Sequence, residues 1–149
     1  MKQTYNYHDQ APASYAHCFR TDCASAETCL RALAARDLND RENTVRIVNP
    51  RLADPAGKGA CSFFHEAKIV QVAYGFMNML KQIPSGRIGA VRAAIAQMSS
   101  DRTYYLLRRG DKPISPTKQK EIARILAAYG APKPVRFDRY EEQINWFTD

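Results

Sequence analysis

Acidic side chains are in short supply in this 149-residue chain: 15 Asp and Glu stand against 22 Lys and Arg, for a formal charge of +7. The deficit argues for an anionic partner, with nucleic acid ahead of an anionic membrane surface. No apolar run approaches the roughly 18 residues that a membrane-spanning helix needs. Residues 1–10, MKQTYNYHDQ, lack the apolar core of a signal peptide. A cytoplasmic protein without a membrane partner is therefore expected. Internal repeats and low-complexity tracts are also missing.

Catalytic constellations are equally scarce. Gly57-Lys58-Gly59 is too short for a phosphate-binding loop. Glu141 and Glu142 are adjacent, and neighbours on a helix point to different sides, so they do not form an acid and base pair. A cysteine with His17 or His65 would lack a third, orienting group. No enzyme is expected.

What the chain does have is enough apolar material for a core, 45% hydrophobic and 10% aromatic residues. Its charge is unevenly spread. Residues 1–80 carry nine Lys or Arg against eight Asp or Glu, and Lys81 to Arg136 carry twelve against three. Residues 138–149 reverse the sign, with Asp138, Glu141, Glu142 and Asp149 against Arg139. This divides the chain into a cysteine-containing N-terminal part (1–61), a basic helical domain (62–137) and an acidic C-terminal segment (138–149).

Periodicity and punctuation predict a mostly α fold, with at most one or two short strands in the N-terminal part. Residues 1–22 read as an arm, Ala24 to Arg36 as a helix, and Thr44 to Asn49 as a short strand ended by Pro50. A long central helix is expected over Phe63 to Gln82, and another from Ser85 to Met98. Arg139 to Trp146 reads as a final amphipathic turn or two.

The densest set of signals lies between Ser100 and Gly130. Ser100 stands at an N-cap, Asp101 in the first turn, and Arg108 and Arg109 close a helix before Gly110. Ser115 and Pro116 open a second helix that ends at Gly130. With Tyr104 and Leu107 inward, Arg102, Tyr105, Arg108 and Arg109 line the outside of the first helix. Arginines beside an aromatic ring suit phosphate and base-edge contacts. A solvated charged face with two core tyrosines is the plainer alternative.

Ala94, Ser100 and Thr103, together with Tyr104 and Leu107, then Arg109-Gly110-Asp111-Lys112-Pro113, Ile122 and Leu126, make this half resemble a lambda-repressor-like helix-turn-helix. The family's turn glycine is replaced by Met98. The resemblance implies that the helix from Ser100 enters the major groove of double-stranded DNA, with Arg102 and Tyr105 near the bases. Arg108, Arg109, Lys112, Lys118 and Lys120 would then meet phosphate. It also leaves room for a homodimer.

Cys18, Cys23, Cys29 and Cys61 form the second constellation, with three cysteines in twelve residues and one distant partner. Four thiolates suit a structural zinc ion first and an iron–sulfur cluster second. Buried thiols without metal are the third reading, favoured by the place of Cys29 beside Leu30 in the expected helix. His65, four residues beyond Cys61, and His17 are candidate replacements for a thiolate. The front of the chain has few large apolar residues, and a metal would supply folding free energy that such a core lacks. An N-terminal cysteine cluster followed by a basic half also resembles an uncharacterised family of short bacterial proteins, which carries no assigned activity.

The expected protein is a DNA-binding, transcriptional-regulator type with a structural metal. The alternative is a metal-bearing interaction or redox-sensor protein that docks an acidic protein or RNA.

Overall fold

The computed structural model describes residues 5–149. The chain divides into two compact units: Met1–Lys68 with Ile144–Thr148 (unit 1), and Ile69–Gln143 with Asp149 (unit 2).

Among its described residues, unit 1 contains two helices, joined by turns, isolated bridges and irregular segments. α1 (Tyr7–Gln10) opens where the Asn6 side chain accepts from the Asp9 N–H at 2.9 Å. α2 (Leu30–Arg36) is made of strong helix formers and buries Leu30, Leu33 and Ala34. It starts later than its composition suggests, because the backbone just before it is engaged elsewhere. The Ala67 N–H donates to Thr28 O at 2.8 Å and the Leu30 N–H to His65 O at 2.7 Å, which holds Cys29 opposite Glu66 in an antiparallel bridge. The strand expected over Thr44–Asn49 is reduced to one parallel bridge between Ile47 and His17.

Unit 2 holds a two-stranded antiparallel sheet and four helices. β1 (Ile69–Tyr74) leads through Gly75 into α3 (Met77–Leu80). A 3-10 turn at Ser85–Arg87 precedes α4 (Ile88–Ala96), α5 (Asp101–Arg109) and α6 (Pro116–Ala128), and β2 (Arg139–Ile144) returns to β1. The contiguous buried core belongs to this unit. Phe76, Val91, Ile95, Ile114, Ile122 and Leu126 lie at 0% exposure and Tyr104 and Leu107 at 1%, with Phe137 closing the cluster.

The mostly α reading is corrected by this structure: 34% of the described residues are helical, a strand stands within the long helix expected over Phe63–Gln82, and another replaces the terminal helical turns. The stretch taken as a long central helix splits into β1 and the short α3. Its adjacent Val72 and Ala73 are both buried, so the strand lacks the in-and-out alternation that would have marked it. Gly75 supplies the break. It sits at φ +74°, and a Cβ there would lie 2.8 Å from Asp138 Oδ2. That carboxylate accepts from the Met77 and Asn78 N–H groups at 2.8 and 3.1 Å and caps α3 from across the chain. The terminal segment becomes β2 because β1 offers it an edge, a partner more than sixty residues away in sequence.

Candidate nucleic-acid surface and thiol cavity

α5 is set by its ends. Ser100 Oγ accepts from the Thr103 N–H at 3.1 Å, and Gly110 takes the left-handed conformation (φ +83°) that ends the helix. Asp111 N then donates to Leu106 O at 2.9 Å. Tyr104 and Leu107 anchor the helix in the core, which leaves Arg102, Tyr105 and Arg109 outside. The helix packs on α4 and β1.

The cations on and after α5 differ in what they meet. Arg108 sits over the Tyr105 ring at 5.0 Å and over the Tyr104 ring at 5.9 Å, a pair of cation–π contacts that fixes Tyr105. Its Nε and the Tyr104 hydroxyl are buried without a hydrogen-bond partner. Burial pushes the Tyr104 phenol up, with the Arg108 charge opposing. Arg109 pairs with Asp111 at 3.0 Å, and Arg92 of α4 pairs with Asp101 at 3.2 Å. Arg102, Lys112, Lys118 and Lys120 have no ion pair among the described residues. Lys118 and Lys120 lie on α6, which packs on the same α4 and β1 as α5 does.

Unit 2 carries thirteen Lys and Arg against seven Asp and Glu, so +6 of the total +7 is here. Most of its acids have a partner within the unit. Asp101, Asp111 and Glu141 pair with arginines, Asp138 caps α3, and Asp149 accepts from the Ser115 hydroxyl at 2.5 Å. Each ion pair cancels one cation against one acid, so the excess of six positive charges remains.

In unit 1, Cys18, Cys23, Cys29 and Cys61 are all free and line one cavity of about 20 Å³. The loops that carry them are tied together. The Ser25 N–H approaches Cys23 Sγ at 3.4 Å, the Lys58 N–H donates to Ser25 Oγ at 2.9 Å, and the Cys61 N–H donates to Gly57 O at 2.7 Å. Gly57, at φ +75°, is pressed so closely on Ser25 that a Cβ would lie 2.2 Å from its Oγ. The thiols surround the cavity without being closed on a point: among the described residues, no group of three His, Cys, Asp or Glu is in position to hold an ion as it stands.

Neither candidate histidine lines that cavity. His17 Nδ1–H donates to Tyr15 O at 3.0 Å, which leaves Nε2 to accept from His8 Nδ1–H at 3.0 Å. Burial lowers the His17 pKa and favours this neutral form. Tyr15 OH donates to His65 Nδ1 at 2.5 Å, and His65 Nε2 is buried without a partner. Burial, then the Arg31 charge, hold the His65 pKa below its ordinary value.

Sequence reasoning missed His8 and Arg31. His8 reaches His17 only through tertiary structure, at the wall of a recess of about 450 Å³ that Glu42 and Arg46 also line. Arg31 lines the thiol cavity and donates to Phe63 O and Ala16 O at 2.9 and 3.0 Å.

The sequence model of a family of unknown function (DUF6078) matches residues 1–146. The chain belongs to that family. No curated protein and no solved structure matches it. No helix among the described residues is long and apolar enough to cross a membrane.

Proposed function

We propose that the protein binds nucleic acid, double-stranded DNA in the first place, as a regulator-type protein, with the exposed side of α5 and the lysines that follow as its contact surface. The observation that carries this is the charge partition: unit 2 holds +6, its acids are largely engaged, and Arg102, Lys112, Lys118 and Lys120 are left without ion pairs among the described residues. Such cations bind phosphate and release counterions. The likeness of the Ser100–Leu107 stretch to a repressor recognition helix puts duplex ahead of single strand.

The roles then divide by what each side chain touches. Arg102, exposed in the first turn of α5, is assigned a base edge in this reading. Tyr105, 39% exposed and held by Arg108, offers a rigid ring and a hydroxyl. Arg109 must exchange Asp111 for phosphate. No reaction is assigned.

Selection of bound duplexes from a random pool, followed by anisotropy titration, tests the reading. On a selected site, Arg102→Ala is expected to cost about 1–3 kcal/mol and relax preference at one position. Equal loss on selected and unrelated duplexes would demote Arg102 to a phosphate contact. A second reading, a metal-bearing sensor that docks an acidic protein or RNA, is favoured by the convergence of the four cysteines. It predicts that partner binding follows the thiol state while duplex binding does not.

A further inference from the structure

We propose that Cys18, Cys23, Cys29 and Cys61 together bind one zinc ion, that neither histidine takes part, and that the occupied site holds unit 1 folded, with Arg31 as its neighbouring positive charge. The inference is independent of how unit 2 acts on nucleic acid.

Convergence is the first argument. Four cysteines spread over 44 residues, Cys29 at the start of α2 and the other three outside helices and strands, line a single small cavity. They are the only four in the chain, and all are free. Core thiols have no reason to gather, whereas a soft divalent ion requires it.

The space between the thiols is small. A volume of about 20 Å³ admits a single ion with sulfurs at about 2.3 Å once the thiols close on it. The thiols stand around the cavity rather than on a point, so binding must draw them inward. Cys18, Cys23 and Cys61 lie outside helices and strands, so a shift of their side chains breaks no helix or strand.

Charge gives the third argument. Each thiol loses its proton to solvent on binding, so the occupied site carries two positive and four negative charges, a net −2. Arg31 lines the cavity, donates only to backbone carbonyls and has no ion pair among the described residues. The metal site would give this cation its counter-charge. Arg20 also lines the cavity, but it is paired with Asp22 at 2.8 Å.

The histidines are committed elsewhere, His17 to His8 and Tyr15 O, and His65 to the Tyr15 hydroxyl. Unit 1 also needs the metal more than unit 2 does. The contiguous hydrophobic cluster runs from Ala73 to Phe137, all outside unit 1, whose two helices among the described residues are four and seven residues long. A unit so poor in core gains its folding free energy from ligation.

The test uses the full chain purified with reductant. Elemental analysis is expected to give one zinc per chain, with four thiols protected from reagent until the metal is chelated. Cobalt(II) added to the chelated protein should give the visible absorption of a tetrahedral thiolate site. Trp146, the single tryptophan, packs on Tyr15 at 5.0 Å and reports on unit 1. Its emission should shift toward that of an exposed indole on chelation and return on adding zinc.

His65→Ala should keep the one-to-one stoichiometry. Arg31→Gln should keep it with affinity about 10-fold to 100-fold weaker. Because Cys→Ser variants can simply fail to fold, the cobalt titration of the unsubstituted chain decides the ligand set. Metal-free protein with native Trp146 emission and four reactive thiols would overturn the proposal. So would disulfides in the native protein, iron with sulfide, or loss of the metal in His65→Ala.

Discussion

His65 shows how a single side chain links burial to acid sensitivity. It accepts from the Tyr15 hydroxyl at 2.5 Å, and its pKa lies below the ordinary imidazole value of 6.5, first because it is buried and second because Arg31 is near. Lys68 adds to this, while the backbone of Asn145 and Phe147 opposes it. Between the lowered folded value and 6.5 the unfolded chain binds more protons than the folded one, so stability falls as pH falls through that window. Unit 1 is expected to lose stability on acidification below about pH 6.5, read from Trp146 emission in denaturant titrations. His65→Gln should flatten that part of the pH profile. An unchanged profile in the variant would show that other groups set the acid response.

At the scale of elements, the join between β1, α3 and α5 depends on two glycines with different demands. Gly75 has both a left-handed φ of +74° and no room, with Asp138 Oδ2 only 2.8 Å from the position of a Cβ. Gly110 has the φ of +83° but its nearest neighbour would be 3.5 Å away. Gly110→Ala should therefore cost about 1 kcal/mol from backbone strain alone. Gly75→Ala should cost more, about 2–3 kcal/mol, because the Asp138 cap on α3 must also move. Equal losses by chemical denaturation would mean that the cap yields freely.

These elements also show what could be read in advance. The ends of α5 and α6 were legible because their signals are local: Ser100 and Ser115 cap by their own side chains, and Gly110 and Pro116 act through their own φ. β1 and β2 were not legible, because each is a strand by virtue of the other. RYEEQI carries no strong preference until Ile69–Tyr74 lies beside it. Gly75 was the available signal against one long helix. The late start of α2 likewise depends on Thr28 O and the Leu30 N–H being taken by Ala67 and His65. In the candidate sites, residue type pointed to the cysteines and to the basic helix. That the cysteines share a cavity, that Arg31 lines it and that Arg108 stacks on the tyrosines are tertiary facts with no sequence spacing to announce them.

Across the whole molecule, chemistry and charge are partitioned: the four thiols lie in unit 1, and +6 of the net charge in unit 2. A duplex titration over a range of salt concentrations with the full chain tests the nucleic-acid claim most directly. Four cations assigned to phosphate, Arg109, Lys112, Lys118 and Lys120, predict a log–log slope of about −3 to −4. Lys118→Ala with Lys120→Ala should reduce its magnitude by about 2. Absence of duplex binding at low salt, or a slope near zero, would contradict the account.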